Sequence, residues 1–152
     1  MTKLEFINLM IGKPWKNRAC TLNECDCWGL VVLYFRYVLG TEIHHDVGYE
    51  SDHDFVTCYE NEVEFWQRTE HPVDDGIFIG YRGSHPAHIG LIIDGNAFHS
   101  RGENGAVRMD RLIVLEKKFT KLEFMKYADS WNTKSSRHQK RKSRFKSRLF
   151  FL

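Results

Sequence analysis

The succession of patterns along this chain predicts an α+β domain in which a buried, nucleophile-bearing N-terminal helix packs on an antiparallel β-sheet. Three observations carry the prediction. Thr2 stands three residues before Glu5, a capping-box spacing that starts a helix. Residues from Asp26 to Leu39 form an apolar block with no solvent-facing side, as expected of a central helix. From Val73 onward the chain breaks into short β-rich runs between turn signals.

Taken in order, the first helix runs from Thr2 to about Met10 and ends at Gly12. Lys13-Pro14-Trp15 is extended, and residues 16–25 form a loop. The second helix, from about Asp26 to Leu39, carries Trp28, Leu30, Val31, Val32, Leu33, Phe35 and Val38, and Gly40 suits its C-terminal cap. Residues 41–57 are rich in His and Asp and predict an exposed loop, and Val63 with Trp66 predicts a helix from about Tyr59 to Arg68. Strands are expected at Ile77–Ile79, His88–Ile93, Ala97–Ser100, Ala106–Arg108, Leu112–Leu115 and Leu122–Tyr127.

With 152 residues, 42% hydrophobic and 14% aromatic, the chain is sized for one folded domain. No apolar run approaches the ~18 residues a membrane span needs. The net charge of +2 conceals a split. Residues 133–152 hold eight Lys or Arg and no acid, so 1–132 carry 14 basic against 20 acidic residues, a net of −6. The division is thus a globular domain at 1–132 and a basic, flexible tail at 133–152. The tail suits an acidic protein, an anionic membrane surface or nucleic acid, and its apolar end, Leu149-Phe150-Phe151-Leu152, favours docking on a protein or lipid surface.

The chemistry centres on Cys27. A thiol in the first turn of a helix meets the positive end of the backbone dipole, which favours the attacking thiolate. Downstream, His88 opens a segment closing at His99, with Asp94-Gly95 between. A two-residue type I′ turn there puts His99 opposite Gly90, on the face that also holds His88. The two imidazoles are then diagonal neighbours at roughly 7–8 Å between backbones, and Gly90 has no side chain to separate them. A three-residue turn would send His99 to the other face. In this geometry His88 takes the proton of Cys27, His99 orients His88, and the imidazolium lowers the thiol pKa.

Asp26-Cys27-Trp28-Gly29-Leu30-Val31, the upstream Gly12-Lys13-Pro14-Trp15, and His88-Ile89-Gly90-Leu91 leading to Phe98-His99 resemble the NlpC-type cell-wall cysteine peptidases, most of all a branch found in phage tail-assembly proteins. The similarity spans about residues 8–115. It implies a papain-like core and hydrolysis of a D-glutamyl–diamino acid bond in peptidoglycan stem peptides. It assigns Cys27 as nucleophile, His88 as base and His99 as the orienting third member. It places Trp15 near the oxyanion, Asp26 where a carboxylate meets the substrate's amine, and Trp28 where a serine commonly follows the nucleophile. It further implies phage tail proteins as partners. The N-terminal residues lack the layout of a signal peptide, so synthesis in a host cytoplasm and residence in a virion tail are expected.

No cofactor is expected. Cys20, Cys25, Cys27 and Cys58 read as reduced thiols in a chain without a secretory signal. A zinc site drawing on Cys20, Cys25, Cys27 and His44 or His45 has an uncommon spacing, and the His44-His45-Asp46 cluster reads as a solvated loop. A disulfide near the nucleophile is the alternative for Cys20 and Cys25. Two competing functions stand beside the peptidase: an assembly module that keeps the fold without its chemistry, and nucleic-acid binding through the tail.

Overall fold

The computed structural model describes residues 1–43, 65–102 and 104–128. Six strands form one antiparallel sheet, with helices on both faces. Helix α1 (Lys3–Met10) begins at Thr2, whose hydroxyl accepts from the Glu5 N–H while the Glu5 carboxylate accepts from the Thr2 N–H. Helix α2 (Cys27–Tyr37) buries every residue from Trp28 to Phe35. The strands are β1 (Trp66–Thr69), β2 (Ile77–Arg82), β3 (His85–Ile93), β4 (Asn96–Ser100), β5 (Val107–Arg111) and β6 (Lys121–Tyr127), with helix α3 (Leu112–Lys118) between the last two. Across the sheet the order is β1-β6-β2-β3-β4-β5.

The alternation of β3 divides the molecule into two cores. Ile89, Leu91 and Ile93 face α2 and join Phe6, Leu30, Leu33, Tyr34 and Phe98 in the larger cluster. Ile92 faces the other way, with Phe78, Ala97 and Leu115, against Phe119, Leu122 and Phe124. Burying each such large apolar side chain contributes about 1.5–3 kcal/mol, which is why α2, apolar on every side, sits at the centre.

Three short segments tie the layers together. The Tyr34 hydroxyl donates to Asp75 at 2.5 Å, Lys3 pairs with Asp74 at 2.8 Å, and Asp74 accepts from the Asp94 N–H at 2.8 Å. The Asp75-Gly76 turn therefore joins both N-terminal helices to the β3–β4 hairpin. The extended segment before α2 is laced to the chain leading into β5. Gly12 N–H donates to the Val107 carbonyl, Val107 N–H to Lys13, and Trp15 N–H to Gly105.

Two expectations are corrected. Leu112–Leu115, expected as a strand, opens helix α3. A four-residue apolar run fits either conformation, and the helix turns Leu115 onto Phe78, Ile92 and Ala97 beneath the sheet. The helix expected over 59–68 has residues 59–64 outside the described set, but Trp66–Thr69 is a strand paired with Phe124–Tyr127. Partnership with β6 supplies ladder bonds there, and Trp66 packs on Phe35 and Tyr127 at 5.4 and 5.1 Å between ring centroids. Cys58, His44, His45, Asp46 and the basic tail lie outside the described residues. Among those described, no helix is long and apolar enough to cross a membrane.

Candidate active site

Cys27 is the first residue of α2, and Asp26 is its N-cap. Asp26 Oδ1 accepts from the Gly29 N–H at 2.7 Å, and Oδ2 accepts from the Arg18 N–H at 2.9 Å. The side chain is buried, with both oxygens turned to backbone amides. The structure therefore gives Asp26 the work of starting the helix and holding the preceding loop. That loop lies directly on the helix, where a Cβ at position 29 would collide with the Ala19 carbonyl. Gly29 thus lets the 16–25 segment approach close enough to set the thiol.

The β3–β4 hairpin supplies the histidines. Ile93 pairs with Asn96 around Asp94-Gly95, with φ values of 50° and 77°, the two positive angles of a type I′ turn. The register Leu91↔Phe98 carries His99 to a position beside Gly90. A Cβ at Gly90 would lie 2.5 Å from the Phe78 ring and 2.7 Å from the His99 Cβ, so only glycine fits between these groups. His88 Nε2 and His99 Nδ1 meet at 2.8 Å. His88 also stacks on Phe119, with centroids 5.8 Å apart and planes at 10°.

A further member was not foreseen from the sequence. His99 Nε2 lies 2.7 Å from Asp110 Oδ2, and Asp110 Oδ1 accepts from Arg108 Nη2 at 2.7 Å. His99 is opposite Arg108 in the β4–β5 ladder, and residues two apart on a strand share a face. Asp110 therefore falls diagonal to His99. Extending the expected 106–108 strand by two residues would have revealed it.

The thiol packs with the α2 core and the His88 imidazole with Phe78 and Phe119 of the opposite cluster, and the thiol meets β3 at the backbone of Ile89. The backbone N–H of Ile89, the residue after His88, faces the Cys27 sulfur and favours its anion, as do the amides of Trp28 and Cys27 itself. Burial outweighs them, and the negative charge of Asp26 adds to it, so the thiol pKa is raised well above its ordinary value of 9.0. His88 is pushed down to about 3 by burial first, then by the positive charges of His99, Arg101 and Arg82. His99 is lowered by burial, with Asp110 opposing. Burial at both groups thus works against the thiolate–imidazolium pair expected. The helix dipole is real, but desolvation of a sulfur packed against the core exceeds it.

Of the remaining residues, Trp28 is in the core, 6.5 Å from Trp66 and edge-on to it. Its indole is a packing element of the core. Trp15 is half-buried and forms a bridge with Cys25, two residues before the thiol. The Cys25 carbonyl accepts from Ser100 Oγ at 2.8 Å, so the next residue after His99 steadies the strip leading to Cys27. Cys20 faces Cys25 across an antiparallel bridge, and Cys20, Cys25 and Cys27 are all reduced. Among the described residues no group of three or more His, Cys, Asp or Glu is placed to hold a metal ion.

No curated protein matches the sequence. Among solved structures, the NlpC/p60 domain of the peptidoglycan hydrolase SagA superposes with a TM-score of 0.54 at 11% identity, covering 80% of this chain and 92% of that one. NlpC2 from Trichomonas vaginalis gives 0.55 at 14% identity, covering 82% of this chain and 45% of that one. At such identities the likeness is one of fold. The NlpC/P60 family profile matches residues 12–129, which take in the nucleophile helix, both histidines and Asp110, and on that match the chain belongs to the NlpC/P60 family.

Proposed function

We propose that this protein is a cysteine peptidase that hydrolyses peptide bonds of peptidoglycan stem peptides, at the D-glutamyl–diamino acid position. What supports the reading is a thiol at a helix start that meets the amide of Ile89, the residue after His88, together with the His88–His99 contact at 2.8 Å. A buried His99 paired with a half-buried His88, close in the fold to a half-buried helix-start thiol far away in sequence, is costly to assemble without a use for it.

In the proposed reaction the Cys27 sulfur attacks the scissile carbonyl as its proton passes to His88 Nδ1. His88 then gives that proton to the leaving amine, and the acyl-thioester is hydrolysed by water, which restores the thiol. Because burial favours the neutral form of both groups, proton transfer accompanies attack and does not precede it. Trp15, beside the nucleophile strip, is the proposed contact for the developing oxyanion. Asp26 acts chiefly by holding the thiol in place. Residence in a phage tail is proposed on the resemblance of the Cys27-Trp28 pair to that branch.

Incubation with defined stem peptides, read by mass, tests the reading. Wild type is expected to yield the cut at the D-glutamyl bond, Cys27→Ala none, and His88→Ala a rate lowered about as severely, with His99→Ala milder. Undiminished cleavage by Cys27→Ala sinks the proposal. The protonated thiol favours one competitor, an assembly module that retains the fold without turnover. That reading gains if wild type leaves every stem peptide intact and Cys27 reacts no faster with an electrophile than a model peptide thiol.

A further inference from the structure

We propose that Asp110, anchored by Arg108, is a positioning residue that fixes the proton pattern of both imidazoles and leaves Nδ1 of His88 as the unprotonated nitrogen. The inference rests on Cys27 and His88 being the reacting pair.

The argument is one of donors and acceptors. A carboxylate can only accept hydrogen bonds, so the 2.7 Å contact with Asp110 Oδ2 requires the proton of His99 to sit on Nε2. A neutral imidazole has one proton, which makes His99 Nδ1 an acceptor. The 2.8 Å contact to His88 is then satisfied only if His88 donates from its Nε2. Neutral His88 is left with a lone pair on Nδ1, which has no partner among the described residues and is the nitrogen a base needs.

The His88–His99 bond alone does not decide this. With every proton moved to the other nitrogen, His99 would donate from Nδ1 to His88 Nε2, and His88 would carry its proton on Nδ1. The distance between the rings would be unchanged and the base would be lost. Only the carboxylate separates the two patterns. Asp110 is suited to hold its charge: it is buried against His99, and Arg108 binds its other oxygen at 2.7 Å. Burial works against the carboxylate, but the hydrogen bonds from Arg108 and His99 prevail and keep its pKa below the ordinary value. The Arg108–Asp110 pair thus sets, two rings away, which nitrogen is available to the thiol.

Nitrogen-15 NMR of the imidazoles at neutral pH, assigned by single His replacements, reads the pattern directly. Wild type is expected to show both rings protonated on Nε2 and bare on Nδ1. Asp110→Asn, which can donate as well as accept, is expected to give mixed or inverted tautomers. On stem peptides its kcat should fall between about 10- and 1000-fold with KM little changed. In a His99→Ala background the same substitution should have no further effect. A wild-type His99 carrying its proton on Nδ1 overturns the inference, and so does an Asp110→Asn chain with unaltered tautomers; the wild-type spectrum decides if the variant fails to fold. A wild type with the expected tautomers that cleaves no stem peptide overturns the peptidase reading and leaves the role of Asp110 standing.

Discussion

At Cys27 two fields oppose each other: the amides at the start of α2 favour an anion, while burial and the charge of Asp26 disfavour it. The balance has a measurable sign. Alkylation of Cys27 by iodoacetamide should be slow at pH 6–8 and should climb as pH rises past 9.0, the ordinary thiol value. An ion pair with His88 would instead give a plateau reaching well below pH 7. Asp26→Asn removes the charge that raises the thiol pKa and keeps an oxygen for the Gly29 amide. It should shift the alkylation profile to lower pH, and because it sets an NH2 against the Arg18 amide it should do so at a stability cost of about 1–3 kcal/mol. At Gly90 the constraint is steric: Gly90→Ala drives a methyl into Phe78 and His99, and about 1–3 kcal/mol of destabilisation is expected on chemical denaturation, with loss of activity in the fraction that folds.

The β3–β4 hairpin decides whether the two imidazoles share a face. Inserting one glycine between Gly95 and Asn96 shifts β4 by one position and turns His99 away from His88. Cleavage of stem peptides should then drop at least as far as in His99→Ala, and wild-type rates in the insertion variant would falsify the hairpin's role. This element was legible in the sequence because Asp94-Gly95 specifies both its turn type and, through it, its register. Helix α2 was legible for a similar reason, since Asp26 caps it and its apolar run is too long for a strand. Helix α3 and strand β1 were not. Four apolar residues at 112–115 and the pair Phe65-Trp66 suit either conformation, and the deciding term is a tertiary partner, the underside of the sheet for one and β6 for the other. Asp110 escaped notice for the same reason. Nothing local marks an acid on an edge strand as a histidine's partner; only the β4–β5 register does.

For the whole molecule, the desolvated imidazoles of His88 and His99 link stability to acidity. His88 titrates near 3 in the folded chain and near its ordinary 6.5 when unfolded, and His99 is displaced in the same direction. As pH falls below about 6.5 the unfolded chain takes up protons first, so stability present in full above that value is lost progressively toward pH 3. The raised thiol acts at the other end: above 9.0 the unfolded chain releases its proton first and stability declines again. Thermal midpoints should therefore peak between about pH 6.5 and 9 and fall on both sides. Replacing His88 by Gln should flatten the acid limb, and an unchanged acid limb in that variant would show that other groups control it. The charge division between an acidic 1–132 and a basic 133–152 was readable from sequence alone, because charge needs no fold to be counted.

The lacing of residues 12–15 to 105–107, and of Cys25 to Ser100, carries a consequence for biosynthesis. Cys27 emerges from the ribosome long before the hairpin that carries His88 and His99 and the strand that carries Asp110, and the backbone strip holding the thiol finds its partners only after Val107 appears. A nascent chain halted ahead of His88 would expose a cysteine with no imidazole to take its proton, and one halted ahead of Asp110 would lack the carboxylate that orients the histidines. On the proposed reading, hydrolytic competence arrives late in translation, with the last strands of the sheet.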